Sequence, residues 1–214
     1  MGEFTELLLQ HTITFFAILD PIGASALMLS LLQTEVSKKE ISVIAYKVTL
    51  TILVAFFVVL IGGNFILQIF GIDSNSLKVM GGIVLIITAL NMVRGSSESK
   101  ALTKEENKDI KVQEDLSIIP IAIPITFGPG IFSTIIILRE HANGTMLDIV
   151  AIILAFFINA VLVYLVFKNS IYIKQYLGLT GQNIITKLMG LIVGAIAVQF
   201  IISGAISLAQ IYLK

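Results

Sequence analysis

The sequence predicts an all-α polytopic membrane protein with six transmembrane helices. Three observations carry that prediction. The 214 residues are 57% hydrophobic and only 13% charged, where a soluble domain carries about 25% charged residues, and the mean hydropathy is +0.98. The apolar residues gather into six runs, each near the roughly 20 residues that a helix needs to cross a bilayer. The basic residues fall on alternate sides of those runs.

The six runs are residues 4–32, 43–67, 76–93, 117–138, 146–167 and 184–213. With six spans, one side of the membrane holds only Lys78, Arg139 and Lys214. The other side holds Lys38, Lys39, Lys47, Arg94, Lys100, Lys104, Lys108, Lys111, Lys168, Lys174 and Lys187. Basic residues concentrate in cytoplasmic loops, so the second set is expected inside and both termini outside, in a prokaryotic cytoplasmic membrane. A five- or seven-span reading scrambles this asymmetry. The N-terminal "MGEFTELLLQ" lacks the basic stretch of a signal peptide, so the first run is expected to be retained. Net charge is zero and no cysteine is present. The first gives no global attraction to nucleic acid. The second excludes disulfides, iron–sulfur clusters and thiol catalysis.

The two halves of the chain resemble each other. "MGGIVLIITALNMVRG" at 80–95 and "MGLIVGAIAVQFIISG" at 189–204 share six of sixteen positions, 109 residues apart. At an offset of 108, Pro21 lands on Pro129. The third run thus matches the sixth, and the first matches the fourth. Repeats of three spans each must enter the membrane in opposite senses, which is the inverted-repeat plan of many secondary transporters. Residues 1–95 then form the first three-helix repeat, 96–115 a hydrophilic cytoplasmic linker of mixed charge, and 116–214 the second, inverted repeat.

"TFFAILDPIGASAL" at 14–27 puts an acid, a proline and a glycine inside an apolar run. A carboxylate at membrane depth costs roughly 2.5–3.5 kcal/mol on insertion scales, so its presence there points to function. Helices 1 and 4 are expected to be discontinuous, at "LDPIGA" and "TFGPGIF". Proline suits the first turn of a new half-helix, where its missing N–H is no loss. The N–H groups of Ile22, Gly23 and Ala24, and of Gly130, Ile131 and Phe132, are expected to be free and to carry the positive end of a helix dipole. Gly128 and Gly130 let the backbone turn and a ligand approach. Such backbone is tolerated at this depth only where it is buried in protein or lines a cavity.

A small zwitterion fits that arrangement, with its carboxylate on backbone N–H groups and its ammonium on Asp20. The expected site is Asp20, Pro21, Ile22 and Gly23 with Thr126, Gly128, Pro129 and Gly130. Asp20 also suits a helix N-cap, and capping is compatible with ligand contact. Asn91, Asn159 and Gln199 sit in apolar helices, where such side chains ordinarily bond helix to helix. A polar lining is the other reading for these three. "GLIVG" at 190–194 has the small-xxx-small spacing of close helix packing.

The "DPIGA" break, "AIPITFGPGIFSTII" and "MGLIVGAIAVQFIISG", in that order, resemble the MarC family, which includes SnatA-type small neutral amino acid transporters. The resemblance covers essentially the whole chain. It implies transport of glycine, alanine and similar amino acids coupled to an ion gradient. Its discontinuous helices carry over onto Asp20, Pro21, Ile22 and Gly23 and onto Thr126, Gly128, Pro129 and Gly130. It leaves the direction of transport open, and leaves Asp20 open between a proton site, a substrate partner and part of a sodium site. No other cofactor is implied.

The readings set beside a small amino acid carrier are an exporter of other metabolites or toxic solutes, and a channel. An enzyme is not expected. An intramembrane aspartyl enzyme needs two facing carboxylates, and only Asp20 lies deep in a span, Asp148 being at the outer start of the fifth. His11 and His141 belong to no HExxH cluster, and no P-loop is present. The expected partners are a small amino acid, the lipid bilayer and further copies of the same chain.

Overall fold

A computed structural model describes residues 2–32, 37–95, 118–142 and 145–213. Its elements are α1 (Gly2–Leu19), α2 (Pro21–Leu31), α3 (Lys38–Phe70), α4 (Ser74–Arg94), a π-helical segment (Ile118–Thr126), α5 (Pro129–His141), α6 (Met146–Lys168) and α7 (Ser170–Tyr212). There is no strand among the described residues. Five helical stretches are long and apolar enough to cross a membrane: Gly2–Leu31, Lys38–Phe70, Ser74–Arg94, Met146–Lys168 and Ser170–Tyr212. The fourth expected span differs. It is split into the π segment and α5, with Phe127 and Gly128 between them. The hydrophilic linker expected at 96–115 lies outside the described residues.

Local sequence explains where the helices start and stop. Ser37 and Glu40 form a capping box at the start of α3, with Glu40 N–H donating to Ser37 Oγ at 3.2 Å and Ser37 N–H donating to Glu40 Oε2 at 2.7 Å. Asp73 caps α4 by accepting from the N–H groups of Asn75 and Ser76. Gly71, with φ 62°, closes α3 in the left-handed conformation that glycine adopts without a Cβ clash. In "IIPIAIPIT" two prolines four residues apart remove two backbone donors. The chain there adopts the wider π turn, with Phe127 N–H reaching the carbonyl of Ala122 at 2.8 Å.

The last expected span also changes. Residues 170–183 read as a loop by hydropathy, yet the helix already runs from Ser170. It is interrupted only at Gly178, whose φ of 60° and ψ of 178° are non-helical. Residues 170–177 present Tyr172, Lys174 and Tyr176 to the outside, and Lys38 Nζ donates to Tyr172 Oη at 2.6 Å. Such a segment suits the membrane–water interface, where Tyr is favoured and mean hydropathy is low. A window tuned to spans passes over it.

Two packing features position the site. The first is a run of aromatic rings. Phe56 stacks on Phe156 with centroids 4.0 Å apart, and Phe15 meets Phe156 edge-on at 5.2 Å. Phe127 meets Phe156 at 6.4 Å. These rings tie α1, α3 and α6 to the gap before α5, and aromatic pairs contribute about 0.5–1.5 kcal/mol each beyond burial.

The second is an antiparallel pairing of α4 with α7 through glycines. A Cβ on Gly82 would stand 2.7 Å from the carbonyl oxygen of Ala197 and 2.5 Å from Ile201 Cγ1. A Cβ on Gly190 would stand 3.1 Å from the carbonyl oxygen of Ala89 and 3.1 Å from Val93 Cγ2. Only glycine lets the two backbones approach this closely. Between helices already in lipid, that close contact is the main source of association.

Candidate functional site

The first break falls at Asp20, the N-cap of α2. Asp20 has φ 38° and ψ 62°, and no other non-glycine residue among those described has positive φ. This left-handed conformation costs an L-residue roughly 1–2 kcal/mol, although Asp tolerates it better than most. The helical ladder runs up to the break, Asp20 N–H donating to the Phe16 carbonyl at 3.1 Å, and resumes after it, Ala24 N–H donating to the Asp20 carbonyl at 2.9 Å. Pro21, buried, occupies the first position of α2 and has no N–H to lose. Gly23 N–H donates to Asp20 Oδ1 at 3.2 Å. The free donors expected on Gly23 and Ala24 are therefore taken. Of these three, the N–H of Ile22 alone has no acceptor among the described residues.

Thr186 of α7 meets the Asp20 side chain from across the helix pair. Its Oγ1 lies 3.5 Å from Asp20 Oδ1, a long contact. Gly23 is fixed by the same group. A Cβ there would overlap the Asp20 carboxylate and stand 2.7 Å from Thr186 Oγ1. Thr186 was not legible as a site residue in the sequence. A hydroxyl in an apolar helix ordinarily bonds back to its own backbone, and no spacing rule links position 186 to position 20.

The second break spans Phe127 and Gly128. Thr126 is buried and turned back, its Oγ1 donating to the Ile121 carbonyl at 2.8 Å. Gly128 is the N-cap of α5 in extended geometry, φ −89° and ψ 179°, and no side chain caps the helix. Pro129 again occupies the first helical position. The N–H of Phe132, expected to be free, instead donates to the Gly128 carbonyl at 3.2 Å. The N–H groups of Gly130 and Ile131 have no acceptor among the described residues.

The two breaks are neighbours. A Cβ on Gly130 would lie 3.6 Å from Ile18 Cγ2, in the last turn before Asp20, and 2.8 Å from Leu85 Cδ2 of α4. Helix α2 packs against the π segment, and α1 packs against α5. All eight expected site residues thus fall on the two breaks. The three amides do not join them. Asn159 is buried, and its Nδ2 donates to the Thr12 carbonyl at 3.0 Å and to the Ala155 carbonyl at 2.8 Å, fastening α6 to α1. Asn91 and Gln199 are exposed on the flanks of α4 and α7.

Chemically, the two helix ends are unlike. At α2 the Asp20 side chain caps the end of the helix and presents a carboxyl group. At α5 no side chain caps the helix, and two backbone donors point out of the helix end. No group of three His, Cys, Asp or Glu residues that would hold a metal occurs among the described residues.

The family described as "MarC family integral membrane protein" matches residues 5–209. The chain is similar to the UPF0056 membrane protein of Aquifex aeolicus, 34% identical over 212 residues that cover 95% of this chain and 94% of that protein. The UPF0056 membrane protein YvbG of Bacillus subtilis is 34% identical over 201 residues, 90% of each chain. A UPF0056 membrane protein of the archaeon Methanocaldococcus jannaschii is 32% identical over 191 residues, 89% of this chain and 92% of that one. No solved structure matches significantly.

Proposed function

The chain belongs to the MarC family of integral membrane proteins, and from that premise we propose that it is a secondary transporter of small neutral amino acids. Its substrates are of the glycine and alanine type, and it works by alternating access coupled to a proton or sodium gradient. The observation that carries this reading is the pair of unlike helix ends. A zwitterion has one charge for each: its ammonium pairs with Asp20, and its carboxylate accepts from the N–H groups of Gly130 and Ile131. Ile18 and Leu85 stand close beside Gly130 and favour a solute with a small side chain.

The pairing of α4 with α7 supports an inverted repeat. Exchanging the halves by 108 residues turns the contact of Gly82 with Ala197 and Ile201 into that of Gly190 with Ala89 and Val93. The same offset relates Pro21 to Pro129, each at the first position of its half-helix. Gly71 precedes α4 and Gly178 precedes the 179–212 part of α7 that pairs with it, both near φ 60°. Six spans with both termini outside then place the eleven-residue basic set in the cytoplasm, and one repeat rocks against the other around the breaks.

Counterflow in proteoliposomes tests the reading. Vesicles loaded with unlabelled glycine are expected to accumulate labelled glycine through the wild type and to lose that uptake in Asp20→Asn. Uptake by folded Asp20→Asn equal to wild type at every pH removes Asp20 from the site. Absence of uptake by folded wild type for all small amino acids shifts the reading to another solute, and flux that does not saturate shifts it to a channel.

A further inference from the structure

Gln182 on α7 is 1% exposed, and among the described residues neither its Oε1 nor its Nε2 has a hydrogen-bond partner. Thr49, Asn64 and Ser170 each leave one buried side-chain atom unpaired. Among the described residues only Gln182 leaves both ends of a polar group dry, a strongly disfavoured arrangement. Its position is informative. Gln182 lies four residues before Thr186, so the two share a face of α7. Thr186 touches Asp20 and stands against Gly23, and α2 packs along α7. Four residues before Gln182, the non-helical Gly178 separates 179–212 from the short helix 170–177. That break gives the start of the long piece a pivot of its own.

We propose that Gln182 lines the arm of the solute path that joins Asp20 to the cytoplasm, and that its carboxamide is wetted when α2 parts from α7. This rests on the carrier reading and its orientation. A carboxamide donates to a carboxylate and accepts from an ammonium, so Gln182 serves either end of a zwitterion passing between Asp20 and the inner side. In the closed arrangement described here the arm is shut and the amide is left without a partner.

The chain contains no cysteine, so a single introduced thiol reports its own exposure. The test is labelling of Gln182→Cys by a membrane-impermeant maleimide in inside-out and right-side-out vesicles. Val193→Cys, on the same helix and fully buried, is the reference. Labelling of Gln182→Cys from the cytoplasmic side is expected to be about tenfold or more faster than the reference, because it follows local opening rather than unfolding. Saturating glycine is expected to slow it. Labelling no faster than Val193→Cys in both vesicle types, or labelling from the outer side only, overturns the proposal.

Gln182→Leu supplies a second readout. It removes the unpaired amide, so the thermal midpoint in detergent is expected to hold or rise while the counterflow rate falls. An unchanged counterflow rate overturns the role, whether the midpoint holds or rises. Cytoplasmic labelling of Gln182→Cys in a protein that moves no small amino acid supports the path and overturns the substrate assignment, so the two failures are separable.

Discussion

At Asp20 the first half-helix opens over a single residue. The carboxylate turns back onto Gly23 N–H, and the ladder closes again by Ala24. At Phe127 and Gly128 the second opens over two residues, follows a π turn, and leaves Gly130 and Ile131 uncapped. Both have proline at the first helical position. The difference lies in the residue before it, Asp in one and Gly in the other. Two like dipole ends thereby become unlike, one acidic and one donor-bearing. A site of two equal ends would select a dianion or a dication. A site of two unlike ends selects a molecule carrying both charges.

Asp20→Asn attacks this contrast most directly and carries the largest expected effect. Asn tolerates the left-handed backbone and keeps a capping oxygen, so the fold is expected to survive. Counterflow is expected to fall about 10- to 150-fold, the equivalent of the 1.5–3 kcal/mol of a hydrogen bond to a charged group.

Gly23→Ala comes next. Its methyl overlaps the Asp20 carboxylate and presses on Thr186. The expected loss is about 1–3 kcal/mol of stability, as for other overpacked sites, read as a lower thermal midpoint together with lost transport. Gly130→Ala is the matching change at the second break. There the methyl meets the end of the Leu85 side chain, which can turn aside, so a loss below about 1 kcal/mol is expected in the same measurement. Equal losses at Gly23 and Gly130 would mean that the two breaks are built alike.

The smallest stability effect belongs to Gly128→Ser. The extended backbone at Gly128 accepts any residue, and a serine there caps α5. Stability is expected to rise by only a few tenths of a kcal/mol, the usual margin of Ser over Gly at an N-cap. Transport is expected to drop, because the hydroxyl occupies a donor meant for the solute. A variant more stable and equally active would show that the uncapped end binds nothing.

Much of this was legible in the sequence, for identifiable reasons. Proline and glycine mark helix breaks by covalent structure alone, so the positions around Pro21 and Pro129 followed directly. The glycines of "GLIVG" at 190–194 in α7 were visible as packing residues. Their partners were not: the sequence match aligned Gly81 with Gly190, whereas the packing relates Gly82 to Gly190, one residue away. Identity counts follow residue type, while helix contacts follow which face is turned inward. The free N–H groups were over-assigned because a cap's own side chain and carbonyl claim donors that a sequence leaves unclaimed. Thr186 was missed because it meets Asp20 across helices far apart in the chain. The helix at 170–177 was missed because an interfacial helix and a loop share one hydropathy.

The central claim is that the two breaks together hold a zwitterion. The most direct measurement is competition against labelled glycine counterflow by three solutes: glycine, its amine analogue methylamine and its acid analogue acetate. Inhibition by glycine alone is predicted, since each analogue satisfies one break and leaves the other unmatched. Inhibition by methylamine or acetate as strong as that by glycine would contradict the account.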